Sequence, residues 1–237
     1  MKYLYLIMTF IFHPLNDYTI KETLSGGKMK FRVRFFKNIK VQYPKDLKFS
    51  KDELSYFATI DKVYEEIACL FPSKREALEI SIVDKSCGVG CGEIDGDQIE
   101  IELEYFTTHR STFQAHKNQN TLIFYEFGRI FWVYDSDLRY LITKKQLNEL
   151  RTGYAIFFRI ILAQNYFLKP SEINGEPFEK YQDRIENGIN NLNSSLLVYT
   201  VPELYASLLL SLRNPDLGIY ALKLDPANIV DSISIIP

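Results

Sequence analysis

Cysteine, histidine and tryptophan are scarce in this chain, whose 237 residues include three cysteines, three histidines and one tryptophan. Three cysteines cannot build the disulfide framework that small secreted folds rest on, so a hydrophobic core has to supply the stability. The histidines, His13, His109 and His116, stand in no recognisable setting beside a serine or cysteine, and no hydrolase triad can be assembled from them. An excess of positive charge is also missing. A net charge of -2 and a pI near 6.0 give no general electrostatic reason to expect a nucleic-acid partner. Internal repeats and low-complexity runs are absent as well, which excludes solenoids and biased tails. The most apolar opening stretch, MKYLYLIMTFIF, has a lone Lys2 followed by ten apolar or near-apolar residues, too short for a membrane span. It resembles the core of a signal peptide, but His13, Pro14, Leu15, Asn16 and Asp17 follow where small residues would be cleaved. The alternative is an extra strand or a start at Met29, and the reading leans to the cytoplasm.

What is present is globular in composition: 46% hydrophobic and 24% charged residues allow a sizeable core and argue against disorder. Residues 1-28 read as an N-terminal extension and 29-237 as a single domain. Its first part, 29-118, is rich in strands and its second, 119-237, in helices. That order implies an α+β fold. Lys28, Lys30, Arg32 and Arg34 alternate with Met29, Phe31, Val33 and Phe35, the pattern of a half-buried strand with a solvated basic face. A helix begins near Ser50, which forms a capping box with Glu53, and Leu54, Phe57, Ile60, Tyr64, Ile67 and Phe71 recur at helical spacing until Pro72. Cys69 falls on an apolar position of that helix and reads as a buried thiol. ALEISIVD, Ala77 to Asp84, is a strand.

The glycine-rich segment Ser86 to Gln98 then runs into a second strand from Ile99, with Ile99, Ile101, Leu103 and Tyr105 on one face. A phosphate loop needs a helix after its glycines, so a turn or hairpin is expected. Cys87 and Cys91 are close enough for a disulfide or for two metal ligands, to which His109 and His116 would have to be added from another segment. Helices are expected over Thr121–Tyr134, Lys144–Phe167, Pro177–Leu192 and Pro202–Leu212, with loops at Asn174–Glu176 and Asn190–Ser195. The apolar stretch Gly153 to Phe167, with Arg159 inside it, reads as a central core helix. Trp132, Tyr134 and Tyr140 also read as core, and Asp135, Ser136 and Asp137 as a turn.

One segment carries chemistry. In NTLIFYEFGRIFW, Asn120 to Trp132, residues 121, 125, 128, 129 and 132 share a helical stripe, and Glu126 is turned about 100° aside from Tyr125. Phe124, Phe127, Ile130 and Phe131 make the rest apolar, so the helix is buried and Arg129 needs a partner. The order of elements resembles the zincin-like metallopeptidases: a helix, a strand, an edge strand lining the cleft, an active-site helix and a further helix with a third ligand. In that family two histidines one turn apart hold zinc, and a glutamate between them handles the proton. Matched residue by residue, the histidine positions fall on Tyr125 and Arg129, the glutamate on Glu126, and Gly128 fits a glycine common before the second histidine. LRTGYAIFF, Leu150 to Phe158, resembles the third-ligand segment, with Thr152 at the ligand position and Gly153, Tyr154 and Ala155 after it. The resemblance spans Leu78 to Ile161, about a third of the chain.

All three ligand positions are substituted. Tyrosine and threonine oxygens are poor zinc ligands and a guanidinium has no lone pair to give, so the resemblance implies a degenerate, metal-free member without a cofactor. The expected fold is accordingly zincin-like, with a small mixed or antiparallel sheet packed on helices and a helical C-terminal part. Three readings of the site follow. Glu126 and Arg129 form an internal ion pair that neutralises the old site, Asp135 being a second possible partner for the arginine. Alternatively the cleft binds a peptide-like or small acidic ligand through Arg129, Tyr125, Thr152 and Tyr154. In the third, Glu126 is a general base with Tyr125 as acid and Arg129 as clamp, in a zinc-independent hydrolase or lyase.

Overall fold

The computed structural model describes residues 18–71, 77–116, 118–191, 198, 200–225 and 229. The apolar stretch Met1 to Phe12, Pro72 and most of the loop expected at Asn190–Ser195 lie outside them. The fold is α+β, with a mixed six-stranded sheet in the order β1-β2-β3-β4-β6-β5. Strands β1 (Thr19–Glu22), β2 (Lys28–Phe35) and β3 (Ile39–Pro44) form an antiparallel meander. Strand β1 belongs to the stretch read as an extension, and it pairs with β2 from Thr19 to Glu22. Strand β3 runs parallel to β4 (Leu78–Val83), so helix α1 (Lys51–Leu70) supplies the crossover that a parallel pair requires. The last two strands, β5 (Gly90–Gly92) and β6 (Gln98–Glu102), make a hairpin, with β6 parallel to β4 and β5 antiparallel at the free edge. The glycine-rich segment is therefore a hairpin, as its lack of a following helix implies. Strand β6 is shorter than expected. Leu103 and Tyr105 lie on helix α2 (Leu103–Thr108), not on the strand's face.

Helix α1 starts where its capping box places it: Ser50 Oγ accepts from the Glu53 amide at 3.2 Å and Glu53 Oε2 from the Ser50 amide at 2.5 Å. Glu53 is fully buried, so its charge needs more than the cap, and Arg110 supplies a fork of two bonds at 2.5 and 2.8 Å. Tyr56, Phe57, Ile60, Val63 and Ile67 of α1 lie against Ile39, Val41, Ile80, Ile82, Ile99 and Ile101, the inner face of the sheet. Cys69 corrects its expectation, because the thiol is free and exposed on the outer side of α1. On the sheet's second face the cross-strand row Gln42, Ser81 and Glu100 is buried. The turn after β1 covers it, and the Leu24 amide donates to Glu100 at 2.5 Å.

The helical half is built round α5 (Lys144–Tyr166), which packs against α3 (Leu122–Ile130) and α7 (Pro202–Leu212). Between them in the chain lie α4 (Asp135–Leu138) and α6 (Phe178–Glu186). Helix α3 stops four residues earlier than the pattern suggests, so Trp132 sits past its end. There it is fully buried against Tyr154, with its indole N–H on Asp135 at 2.6 Å. Helix α6 likewise ends at Glu186 rather than Leu192. Tyr140 is exposed, contrary to its reading as core. No described helix is long and apolar enough to cross a membrane.

Two glycines set the closest approaches in this half. A Cβ on Gly153 would lie 2.5 Å from the Pro202 carbonyl oxygen, and one on Gly128 would lie 2.5 Å from the Ala155 Cα. The second contact is backbone on α5, which cannot rotate away. Gly128→Ala is therefore expected to lower stability by roughly 1–3 kcal/mol through overpacking, measured by urea unfolding. Unchanged stability would mean that α3 and α5 stand farther apart.

Candidate functional site

Helix α3 is held at its start by Asn120. The Asn120 side chain accepts from the Leu122 amide at 2.9 Å and donates to Thr112 and Tyr105, while the hydroxyl of buried Tyr56 donates to its carbonyl at 2.6 Å. With Gly128 against α5, these bonds aim the third face of α3 at the sheet edge. There Glu126, 2% exposed, accepts the Gly92 amide at 2.7 Å. That amide points away from β6, whose neighbouring bonds run through Glu93 and Val89. Glycine is required on both sides of Cys91. A Cβ at Gly90 would lie 2.9 Å from Glu126 Oε1, and one at Gly92 2.9 Å from the Glu126 carbonyl oxygen. Two bare backbone positions on one face of β5 thus let the carboxylate lie flat against the strand.

Burial is the dominant influence on this carboxyl group and pushes it up to about 7, against the opposing pull of Arg129, the Gly92 amide and Arg159. Arg129 Nε stands 4.0 Å from Glu126 Oε2, at the outer limit of an ion pair. Its Nη1 is buried, and no acceptor among the described residues meets it. Asp135 is no partner for Arg129. It accepts from Trp132 and is forked by Arg151.

A second guanidinium completes the cluster. Arg159 of α5 lies over the ring of Tyr125 at 4.6 Å, while Arg129 lies 5.8 Å from the same ring. Arg159 Nε is also buried without a hydrogen-bond acceptor among the described residues. Thr152 adjoins the Tyr125 hydroxyl, although its own hydroxyl donates to the Asn148 carbonyl at 2.9 Å. Burial above all raises the Tyr125 phenol, which stays protonated at neutral pH. Tyr181 of α6 closes one side. It is buried, and Arg159, Glu203 and Tyr125 all act on its hydroxyl.

Of the residues expected at the site, Tyr125, Glu126, Arg129 and Thr152 come together. Tyr154 does not. It is fully buried on the other side of α5 among Trp132, Phe157 and Phe158, with its hydroxyl toward the Leu222 carbonyl. Two positions after Thr152 on a helix is nearly half a turn away, which makes Tyr154 core. Arg159 was missed as a site residue, yet it lies seven residues after Thr152 and so on the same face. In the sequence the glycines of β5 look like turn residues; their spacing of two is the trace of a face that must carry no side chain.

Cys87 and Cys91 are joined in a disulfide, so neither thiol is available as a ligand. His109 is exposed and stacks on Tyr105, and His116 is exposed at a positive φ of 65°. Among the described residues no three His, Cys, Asp or Glu side chains converge to hold a metal ion. Comparison with protein-family models, curated proteins and solved structures finds no match for this chain.

The cluster can do two things chemically. Two guanidiniums and phenols can hold an anion, and a carboxyl group near 7 can exchange a proton. The raised value has a sign for stability. Between about 4.5 and about 7 the folded chain binds a proton that the unfolded chain has released, so stability falls as pH rises through that window. The loss is on the order of 3 kcal/mol when complete. Glu126→Gln is expected to remove this slope, gaining most on the wild type at pH 8 and little at pH 4 in urea unfolding. Parallel stability curves for the two proteins would contradict the burial of an ionisable Glu126.

Proposed function

We propose that this chain is a metal-free, zincin-like domain whose former catalytic cleft binds a carboxylate, in the form of a peptide C-terminus or a small acid. The single observation that carries the reading is the pair of arginines flanking Tyr125, each with a buried N–H group lacking an acceptor among the described residues. A buried guanidinium donor left unpaired is costly, and a planar carboxylate matches its fork. Glu126 does not discharge this need. Its Oε2 accepts from the Gly92 amide and stands 4.0 Å from Arg129 Nε, and at neutral pH it is partly protonated. Arg129 and Arg159 therefore keep positive charge beside Tyr125 that a close internal ion pair would have cancelled.

The zincin-like part of the proposal draws support from placement. Glu126 lies on a buried helix against an antiparallel edge strand, and Thr152 follows on the next long helix beside Tyr125. A second reading has one observation in its favour: a carboxyl group near 7 suits a general base, with Tyr125 as acid and Arg129 as clamp in a zinc-independent hydrolase or lyase. In that case Glu126→Gln would abolish turnover, whereas a binding domain would keep its ligand.

The test is a calorimetric titration with N-acetyl-Phe-Gly, which ends in a free carboxylate, and with its C-terminal amide. The carboxylate is expected to bind at least about tenfold more tightly than the amide, and Arg129→Met or Arg159→Met to remove most of that difference. Affinity should also fall as pH rises from 6 to 8, because an ionised Glu126 opposes the incoming anion. Equal binding of acid and amide, or no effect of either arginine, would overturn the reading.

A further inference from the structure

The disulfide between Cys87 and Cys91, with a sequence separation of 4, crosslinks the chain only within its own hairpin. So short a ring removes little entropy from the unfolded chain and joins no distant elements, so the global fold owes it little. What it fixes is local. Strand β5 consists of Gly90, Cys91 and Gly92, and Cys91 carries the only side chain of the three. That side chain is the one tied into the disulfide. On the face toward α3 the two glycines offer bare backbone to Glu126. On the opposite face Cys91 pairs across the sheet with buried Glu100. Cys87 stands at the exposed end of the ring, and Cys91 is half-buried.

We propose that Cys87–Cys91 is a thiol–disulfide exchange site whose redox state controls how firmly β5 is held against Glu126; its consequence for ligand affinity rests on the carboxylate-binding reading above. The partner class is a dithiol reductant. One of its thiolates attacks the exposed Cys87 sulfur, the Cys87–Cys91 bond breaks as the mixed disulfide forms, and Cys91 leaves as a thiolate that takes up a proton. The reductant's second thiol then attacks the mixed disulfide, which releases Cys87 as a thiol and leaves the reductant oxidised. Two electrons and two protons pass to the protein. With the ring open, Gly88 and Gly90 impose no backbone restraint on the segment. The Gly92 amide is then held only through backbone pairing and the Glu126 carboxylate. As that contact loosens, Glu126 can close the 4.0 Å gap to Arg129 and compete with an incoming anion.

The experiment uses the full chain carrying Cys69→Ser, so that the exposed free thiol cannot reshuffle. The protein is treated with dithiothreitol under native conditions and followed by thiol alkylation, hydrogen exchange of the 88–93 segment and titration with N-acetyl-Phe-Gly. Reduction is expected without loss of the native Trp132 fluorescence, with amide exchange at Gly92 rising about tenfold while β4 and α1 are unchanged. Affinity for the peptide should fall about fivefold and return on reoxidation. A variant with Cys87→Ser and Cys91→Ser should show the fast exchange with or without reductant. A disulfide that resists dithiothreitol until the protein unfolds, or reduction that leaves exchange at Gly92 unchanged, overturns the proposal. If exchange responds but the peptide binds in neither redox state, the exchange site stands and the carboxylate-binding reading falls.

Discussion

The contact between the Glu126 carboxylate and the Gly92 amide is the point on which this structure turns. A carboxyl group 2% exposed has lost nearly all its hydration and must be repaid by specific partners or by a proton. It obtains one strong bond, from an amide at the free edge of the sheet. Every other feature of the neighbourhood makes that bond possible. Gly90 and Gly92 clear the face of the strand, Gly128 lets α3 sink against α5, and Asn120 fixes where the helix begins. A larger residue at any of the three glycines would push the carboxylate off the strand or the helix off its neighbour.

Burial also decides the electrostatics. Arg129 and Arg159 both favour the ionised carboxylate, yet desolvation outweighs them and carries Glu126 up to about 7. At Glu53 burial also opposes the charge, but the fork from Arg110 together with the Ser50 amide and hydroxyl outweighs it and holds the carboxyl group below its ordinary value. Both glutamates lie inside and both face an arginine. At Glu53 the guanidinium makes two short bonds; at Glu126 it stands at 4.0 Å. Arg129 is thus left with hydrogen-bonding capacity directed at something other than its own helix, and Arg159 repeats the situation from α5.

Much of the fold could be read from local signals. The capping boxes at Ser50 and Thr143 mark the starts of α1 and α5, Pro202 opens α7, and the alternation of Lys28 to Phe35 gives β2. What could not be read depended on contacts distant in the chain. Cys69 occupies a helical position that periodicity reads as apolar, yet it is exposed, with no element packed over it among the described residues. Leu103 and Tyr105 continue the alternation of β6, but the chain turns into α2 because the sheet ends there. At the site, Tyr125, Glu126 and Arg129 are legible because helical spacing alone brings them near one another, and Thr152, on α5, through the resemblance carried by its segment. Arg159 and the glycines of β5 are not, since their roles appear only when α5 and the hairpin are laid against α3. Tyr154 was misassigned for the converse reason: nearness in sequence to Thr152 says nothing about which side of the helix it faces.

The most direct test of this account is a carbon-13 NMR titration of the Glu126 side-chain carboxyl, assigned through Glu126→Gln. A buried group held at the strand edge should titrate near pH 7, with the Gly92 amide shifting in the same transition. An ordinary carboxylate value near 4.5, or a Gly92 amide indifferent to the titration, would mean that the carboxylate faces water, and the architecture built upon it would fail.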